Sequence, residues 1–155
     1  MKRNLVYLFC TLLATATFIG CDKDDDDQKT EDSFKINGTA SGSQEVPAVT
    51  TSATGTVTGT YHTENKLLEY TVTWNNLSAN PVAMHFHGPA PAGTNAGVMI
   101  PITDFAASTT GSKSGTATLT PAQDSALLNG AMYYNVHTSN NPGGELRAQL
   151  TATAD

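Results

Sequence analysis

The chain has 155 residues and is acidic, with 8 Lys and Arg residues against 14 Asp and Glu residues and a formal net charge of −6. This balance excludes functions that depend on a basic surface, nucleic-acid binding above all, because no basic patch is present to neutralise phosphates. Both cysteines, Cys10 and Cys21, lie near the start of the chain. No disulfide can therefore hold the remaining residues together.

Residues 1–20 have the layout of a secretory signal peptide. Lys2 and Arg3 precede an apolar run over residues 5–19, which ends in Gly20 and Cys21. A membrane-spanning helix needs about 20 apolar residues, so this run is too short to span comfortably. We therefore expect cleavage of the segment rather than anchoring by a helix.

Residues 18–21, F-I-G-C, resemble a bacterial lipobox, in which the cysteine becomes the lipidated first residue of the mature protein. Phe18 stands where Leu is commonest. The interpretation predicts lipidation at Cys21 and attachment to a membrane through that lipid. The alternative is ordinary secretion with an incidental cysteine.

The segment from Cys21 to residue 33 is interpreted as a lipidated cysteine followed by an acidic tether. Residues 22–33 contain seven acidic and two basic residues. Such a charge density opposes collapse and favours an extended, solvated segment. Acidic runs at this place also resemble the export signal of surface lipoproteins in some Gram-negative bacteria. We expect an outer-membrane lipoprotein of the cell envelope, exposed at the surface or in the periplasm.

Residues 34–155 are predicted to form one all-β domain. They are rich in Thr, Gly, Val and Ala, and turn residues recur at nearly regular intervals. This pattern predicts an antiparallel Greek-key sandwich or barrel of about eight strands. Thr120 and Pro121 have the form of an N-cap followed by Pro at the first helical position, so one short helix is expected to run to Leu128.

The clearest predicted hairpin pairs residues 53–63 with residues 67–74. In both segments apolar or small residues alternate with polar ones, as expected where one face of each strand is buried. The same alternation in later segments extends the predicted core. That core contains Leu68, Tyr70, Val72, Trp74, Phe86, Tyr134 and Leu146.

Residues 82–89, V-A-M-H-F-H-G-P, carry the main chemical signal of the sequence. Strand alternation puts Val82, Met84 and Phe86 on the core face and the two histidines, His85 and His87, together on the other face. Their Cα atoms are expected about 6.5 to 7 Å apart.

A third histidine, His137, follows in a later strand with similar alternation. Three neutral imidazoles of this kind form a candidate site for copper or zinc with water at a fourth position. The alternative is structural: the same histidines hydrogen-bond to loop backbone and to Asn135, and so order residues 89–97. Tyr133 shares the face of His137 and is a candidate supporting partner of a metal site, although an aromatic on a half-exposed strand needs no such role.

Arg147 is the only arginine of the predicted domain, and its neighbours in the strand face inward. We predict that it faces away from the core and pairs bidentately with Glu45, which would pin the first loop to the last strand. Glu145 is the other candidate partner. A catalytic role for Glu45 is not favoured, because the sequence supplies no nucleophile or partner acid beside it.

Four motifs stand in order along residues 34–151: Q-E-V-P-A-V at 44–49, M-H-F-H-G-P-A at 84–90, Y-Y-N-V-H-T at 133–138 and G-G-E-L-R-A-Q-L at 143–150. Together they resemble the CHRD domain, a family named for its repeats in chordin and found in many bacterial secreted proteins. Members usually read His-Ile-His where this chain has His85-Phe86-His87. In chordin the domains belong to an extracellular antagonist of a growth-factor signal. The resemblance implies a fold more than a reaction.

The expected architecture also resembles that of copper/zinc superoxide dismutase, in which a His-x-His strand presents both imidazoles on the outside of a Greek-key barrel. His85 and His87 match that element, and His137 is the candidate for a further ligand. The chain departs from the dismutase pattern in having no fourth histidine at a matching place and no zinc subsite.

Three functions follow in order of preference. The first is a membrane-tethered binding or structural module, the second a copper- or zinc-binding protein, and the third a redox enzyme of the dismutase type. An extracellular protein or a metal ion is the expected partner besides the membrane. We expect binding rather than catalysis.

Overall fold

The computed structural model describes residues 33–155. The predicted signal peptide, the lipidation site Cys21 and the acidic tether before residue 33 lie outside the described residues. Within the described range no helix is long and apolar enough to cross a membrane.

Nine strands and one α-helix make up the regular structure of these residues. The strands are β1 (Ser33–Ser41), β2 (Thr54–His62), β3 (Leu67–Asn75), β4 (Pro81–His87), β5 (Val98–Ile102), β6 (Gly111–Thr118), β7 (Tyr133–Thr138), β8 (Leu146–Gln149) and β9 (Thr151–Ala154). The helix is α1 (Pro121–Leu128), and one turn of 3-10 helix, Gly42–Gln44, follows β1.

The strands form one antiparallel sheet in the order β5-β4-β7-β8-β1-β2-β3-β6, with β9 also paired to β1. The sheet curls into a nearly closed barrel with β5 and β6 as its two ends. The predicted all-β class is confirmed. The order also explains Pro101, which lies in the end strand β5, where a residue without a backbone N–H disturbs no interior ladder.

The predicted hairpin is confirmed as β2 and β3, which pair from Thr54 with Asn75 to His62 with Leu67. Each of the core residues named from the sequence is buried. Two glycines of β6 make room for the large rings of β3: a Cβ at Gly111 would lie 2.6 Å from the Trp74 ring, and one at Gly115 would lie 2.7 Å from Tyr70 Cζ. Small residues on β6 therefore allow the barrel to hold aromatic side chains.

The predicted helix is confirmed with a complete capping box. The Thr120 side chain accepts a hydrogen bond from the backbone N–H of Gln123, and the Gln123 side chain accepts one from the backbone N–H of Thr120. Gly130 follows the helix with a φ of 65°, in the left-handed region where glycine carries no steric cost. The box and the glycine explain why the helix has only 8 residues.

The alternation predicted for the histidine strand is correct at Met84 and Phe86, which are fully buried, but wrong at Val82. Val82 is 61% exposed. The pairing of β4 with β7 shifts register between Pro81 and Ala83, and this irregularity turns the Val82 side chain outward. The histidine positions lie beyond the shift and keep their predicted face.

The last predicted strand is divided into two, which accounts for nine strands rather than about eight. β8 pairs with β7, whereas β9 pairs with β1 at Phe34–Asn37. At the division the backbone N–H of Leu150 donates to Met132. The last two strands thus connect β7 with β1 in the middle of the sheet.

Candidate metal centre

The candidate site lies on the outer face of three neighbouring strands, β4, β7 and β8. His85 of β4 is opposite Asn135 of β7, and Asn135 is opposite Arg147 of β8. His87 is opposite Tyr133 in the same way. Because residues paired across an antiparallel ladder share a face, the histidines, Tyr133 and Arg147 form one polar layer outside the apolar core.

The structure brings His85, His87 and His137 together, as the sequence predicted. One nitrogen from each ring lies within 4.8 Å of the others. Nδ1 of His85 and Nε2 of His137 are 3.3 Å apart. Two nitrogens bound tetrahedrally to zinc are also about 3.3 Å apart, given metal–nitrogen distances of about 2.0 to 2.1 Å.

Backbone carbonyls orient two of the imidazoles. Nδ1 of His87 lies 3.0 Å from the carbonyl oxygen of Ala96, and Nδ1 of His137 lies 2.9 Å from that of Pro142. A carbonyl oxygen only accepts hydrogen bonds, so each Nδ1 carries a proton and each neutral ring presents a lone pair at Nε2. This is the arrangement by which proteins orient metal-binding histidines.

The pKa values of His85 and His87 are both lowered. Burial is the largest cause in each case, because it disfavours the charged ring. Positive charge on His137 acts in the same direction on both rings, while the hydrogen bond of His87 to the Ala96 carbonyl and the nearby Asn135 side chain partly oppose the shift of His87. The two rings are therefore neutral at pH 7, the form that binds metal ions.

The loop after β4, residues 88–97, covers His87 and leaves it 8% exposed. Tyr133 holds this loop: its hydroxyl accepts from the backbone N–H of Ala96 at 3.0 Å. The Tyr133 ring also stacks on His87. The structural alternative predicted from the sequence, histidines that order residues 89–97, is thus present in part, and it coexists with the convergent nitrogens.

Arg147 does not form the predicted bidentate pair with Glu45. The structure shows no hydrogen bond or ion pair between these two described residues. Instead the guanidinium lies over the Tyr133 ring, 3.5 Å from its centroid, and donates to the carbonyl oxygen of Thr94 at 2.9 Å and to Asn95 Oδ1 at 3.2 Å. Arg147 faces away from the core as predicted, but it is only 1% exposed because it is covered by the loop that it holds.

Glu45 lies close enough to Arg147 for their charges to interact, although no hydrogen bond or ion pair joins them. Burial raises the pKa of Glu45 to about 7, and the attraction of Arg147 only partly opposes this. Its Oε1 atom is buried without a hydrogen-bond partner. The guanidinium of Arg147 already donates its hydrogen bonds to oxygen atoms of the loop, and this is the physical reason why the predicted bridge is not formed.

Sequence reasoning missed the structural role of Glu145, which is fully buried. Its carboxylate accepts four hydrogen bonds, from Thr51 Oγ1, Ser78 N, Ser78 Oγ and Thr138 Oγ1, at 2.7 to 2.9 Å. The donors come from three separate parts of the chain. A single Glu between glycine and leucine gives no signal that could have identified them.

These features define a class: a nearly closed antiparallel β-barrel with a histidine triad on its outer face, partly covered by a loop. The family model of the CHRD domain matches residues 36–150. The chain therefore belongs to the CHRD domain family, as the four motifs indicated. No curated protein and no solved structure gives a significant match to the chain, and the likeness to superoxide dismutase has no support from these comparisons.

Proposed function

We propose that this protein is a lipid-tethered CHRD module of the cell envelope that binds one copper(II) or zinc(II) ion through His85, His87 and His137. The proposed lipid tether is supported by the sequence, namely the predicted signal peptide, Cys21 and the acidic segment. The proposed metal binding is supported by the geometry of the three histidines. Binding at an envelope-tethered module combines the two functions that the sequence favours most.

The observation that carries the metal proposal is the state of His87. Its Nε2 atom is buried and has no hydrogen-bond partner. A buried nitrogen lone pair without a partner is destabilising, by about 1 to 3 kcal/mol. A metal ion shared with the other two histidines would supply that partner.

The residues fit such an ion in number, type and spacing. The pair His85 and His137 already has the separation of two ligands, and ligand spacing would require His87 to approach by no more than about 1.5 Å. In the absence of metal, His85 Nδ1 donates to His137 Nε2. Metal binding would move that proton to the other nitrogen of His85.

A site with three protein ligands leaves a coordination position for water or another small ligand. His85 and His137 are only half-buried, so this position faces solvent. The three histidines would hold the ion. Backbone carbonyl oxygens fix the rings of His87 and His137, and the Tyr133 ring stacks on His87. The proposal is for binding, and redox turnover is not part of it.

Calorimetry with zinc(II) and copper(II) tests the metal site on the full-length protein purified in mild detergent. Wild type should bind one ion per chain. His87→Ala and His137→Ala should each weaken binding by at least tenfold, whereas His62→Ala, which changes a histidine on β2 outside the triad, should not. Equal binding by all four proteins would leave the three histidines with only their structural role.

The tether has its own test, in cells. Cys21→Ser should move the protein from the membrane fraction to the soluble fraction, and a lipid label should be lost in parallel. Cys10→Ser, inside the predicted signal peptide, is the matched control and should remain in the membrane. Membrane retention of Cys21→Ser at the wild-type level would show that no lipid is attached at this residue.

A further inference from the structure

Asn135 lies at the centre of the layer that carries the three histidines. In the pairing of β4 with β7 it is directly opposite His85, and along β7 it is two residues from His137. Residues directly opposite in an antiparallel pair have Cβ atoms about 4.5 to 5.5 Å apart, and residues two apart in a strand share a face. The sheet therefore places a short amide side chain among the imidazoles.

The Asn135 side chain is buried, but its oxygen atom is not satisfied. The residue is 3% exposed, and its Oδ1 atom has no hydrogen-bond donor among the described residues. A buried carbonyl oxygen that has lost its hydration without gaining a donor is destabilising. Because buried polar atoms in folded proteins are nearly always paired, such an atom indicates a partner from outside the chain, an ion or a water molecule.

A second unsatisfied atom of this layer is Nε2 of His87. Nδ1 of the same ring already lies against the carbonyl oxygen of Ala96, so Nε2 is the ring nitrogen that remains. The Asn135 side chain lies near this imidazole and acts to raise its pKa, which is the effect of an acceptor oxygen that faces the ring. Oδ1 of Asn135 and Nε2 of His87 are thus neighbouring acceptors, each with a lone pair and without a donor among the described residues.

The partner that suits both atoms is a metal ion. Both atoms are inaccessible to water, so an organic ligand entering from a surface cavity does not meet them. An ion held by the three histidines does, because the same histidines surround Asn135 and because zinc and copper accept lone pairs from both nitrogen and oxygen. His85 and His137 are only half-buried and form the side of the site from which an ion enters.

We infer that Asn135 is the fourth protein ligand of the ion and binds it through Oδ1. The inference rests on the proposed metal site at His85, His87 and His137, and it completes the ligand set as three imidazole nitrogens and one amide oxygen. The fourth coordination position, otherwise left to water, is then filled by the protein. Four protein ligands are typical of sites that retain an ion, whereas catalytic sites keep one position open.

A rotated amide is the competing arrangement. In that arrangement Nδ2 of Asn135 donates to Nε2 of His87 and occupies the lone pair that the ion requires. The two arrangements predict opposite effects when the amide is removed. Metal affinity falls if the amide oxygen is a ligand, and it is unchanged or rises if the amide nitrogen is a donor to His87.

Zinc calorimetry on the full-length protein in mild detergent tests the inference. Asn135→Leu should bind zinc at least tenfold more weakly than wild type, because the oxygen ligand is lost. Asn135→Asp should bind zinc at least tenfold more tightly, because a carboxylate oxygen with a negative charge takes the same place. Asn37→Leu and Asn37→Asp change an exposed asparagine on β1 and should match wild type. Trp74 fluorescence checks that each variant is folded.

A crystal structure of the zinc-loaded wild type separates a ligand from a residue that acts through His87. With the ion located by anomalous scattering, Oδ1 of Asn135 should lie about 2.0 to 2.2 Å from zinc. Water in place of Oδ1, or an Asn135→Leu variant that binds zinc as tightly as wild type or more tightly, would overturn the inference and leave the proposed triad intact. Failure of wild type to bind zinc would overturn the proposed function itself.

Discussion

The ring of Tyr133 lies parallel to the imidazole of His87, with centroids 4.9 Å apart and an angle of 6° between the planes. The guanidinium of Arg147 lies over the same tyrosine ring. Because β4 and β8 flank β7, the ring is held between the histidine on one side and the arginine on the other. One tyrosine thereby connects the candidate metal ligand to the residue that holds the covering loop.

Replacement of Tyr133 separates stacking from hydrogen bonding. Tyr133→Phe keeps the ring but leaves the backbone N–H of Ala96 without its acceptor, and we expect a loss of about 1 kcal/mol in the free energy of unfolding. Tyr133→Leu also removes both ring contacts and should cost about 2 to 4 kcal/mol. Chemical denaturation followed by Trp74 fluorescence measures both. Equal losses would show that the stack contributes nothing.

Glu145 should support the fold through its ionised form. Burial alone would raise its pKa, but the hydrogen bonds from Ser78, Thr138 and Thr51 together outweigh that effect and hold the pKa below its ordinary value. A lowered pKa in the folded state adds stability above the unfolded value, and this contribution is lost as pH falls through the folded value.

The expected result of Glu145→Gln is a loss of about 2 to 4 kcal/mol at pH 7, since the amide cannot accept all four bonds. Glu69→Gln, at an exposed site, is the control and should change stability by less than about 0.5 kcal/mol. The difference between Glu145→Gln and wild type should shrink in acid. A difference that stays constant down to about pH 3 would contradict the role given to the carboxylate.

Glu45 should have the opposite effect on stability. Its pKa is raised to about 7 by burial, so the folded state keeps a proton that the unfolded chain loses near 4.5. Stability therefore falls as pH rises between these values. Glu45→Gln should be more stable than wild type by about 1 to 3 kcal/mol at about pH 8 and nearly equal to it at about pH 4. Urea denaturation at both values measures this, and an equal change at both would argue against a buried ionisable group.

Metal binding should persist to a lower pH than for exposed histidines. The pKa values of His85 and His87 are lowered, chiefly by burial, so protons compete for these nitrogens only below the ordinary imidazole value of about 6.5. Zinc titrations across pH should therefore show half-maximal loss of affinity below about 6.5. A midpoint well above this value would indicate that other groups bind the ion.

Much of the barrel was predictable from the sequence, because strand alternation is a local property. The inward rows of β2 and β3 and the N-cap at Thr120 follow from residue type and spacing alone. The exposure of Val82 could not be predicted in this way, because it depends on a register shift between β4 and β7 that residues 81–83 do not encode by themselves. The division at Leu150 likewise depends on pairing with β1.

The histidine triad was predictable in membership but not in orientation. Strand parity placed His85 and His87 on one face, and the motif around His137 indicated a neighbouring strand. The carbonyl oxygens that orient the rings come from loops, and loop conformation is not given by residue pattern. The predicted partner of Arg147 was wrong for the same reason. Opposite charges suggested Glu45, whereas the guanidinium donates its hydrogen bonds to oxygen atoms of the loop.

X-ray absorption at the zinc edge tests the central claim most directly, on the full-length protein loaded with one equivalent of zinc. Three imidazole nitrogens at about 2.0 to 2.1 Å and one oxygen are expected in wild type. In His87→Gln the imidazole scattering should fall to that of two rings, while His62→Gln should match wild type. A shell made only of oxygen atoms, or identical spectra for all three proteins, would contradict a metal site at His85, His87 and His137.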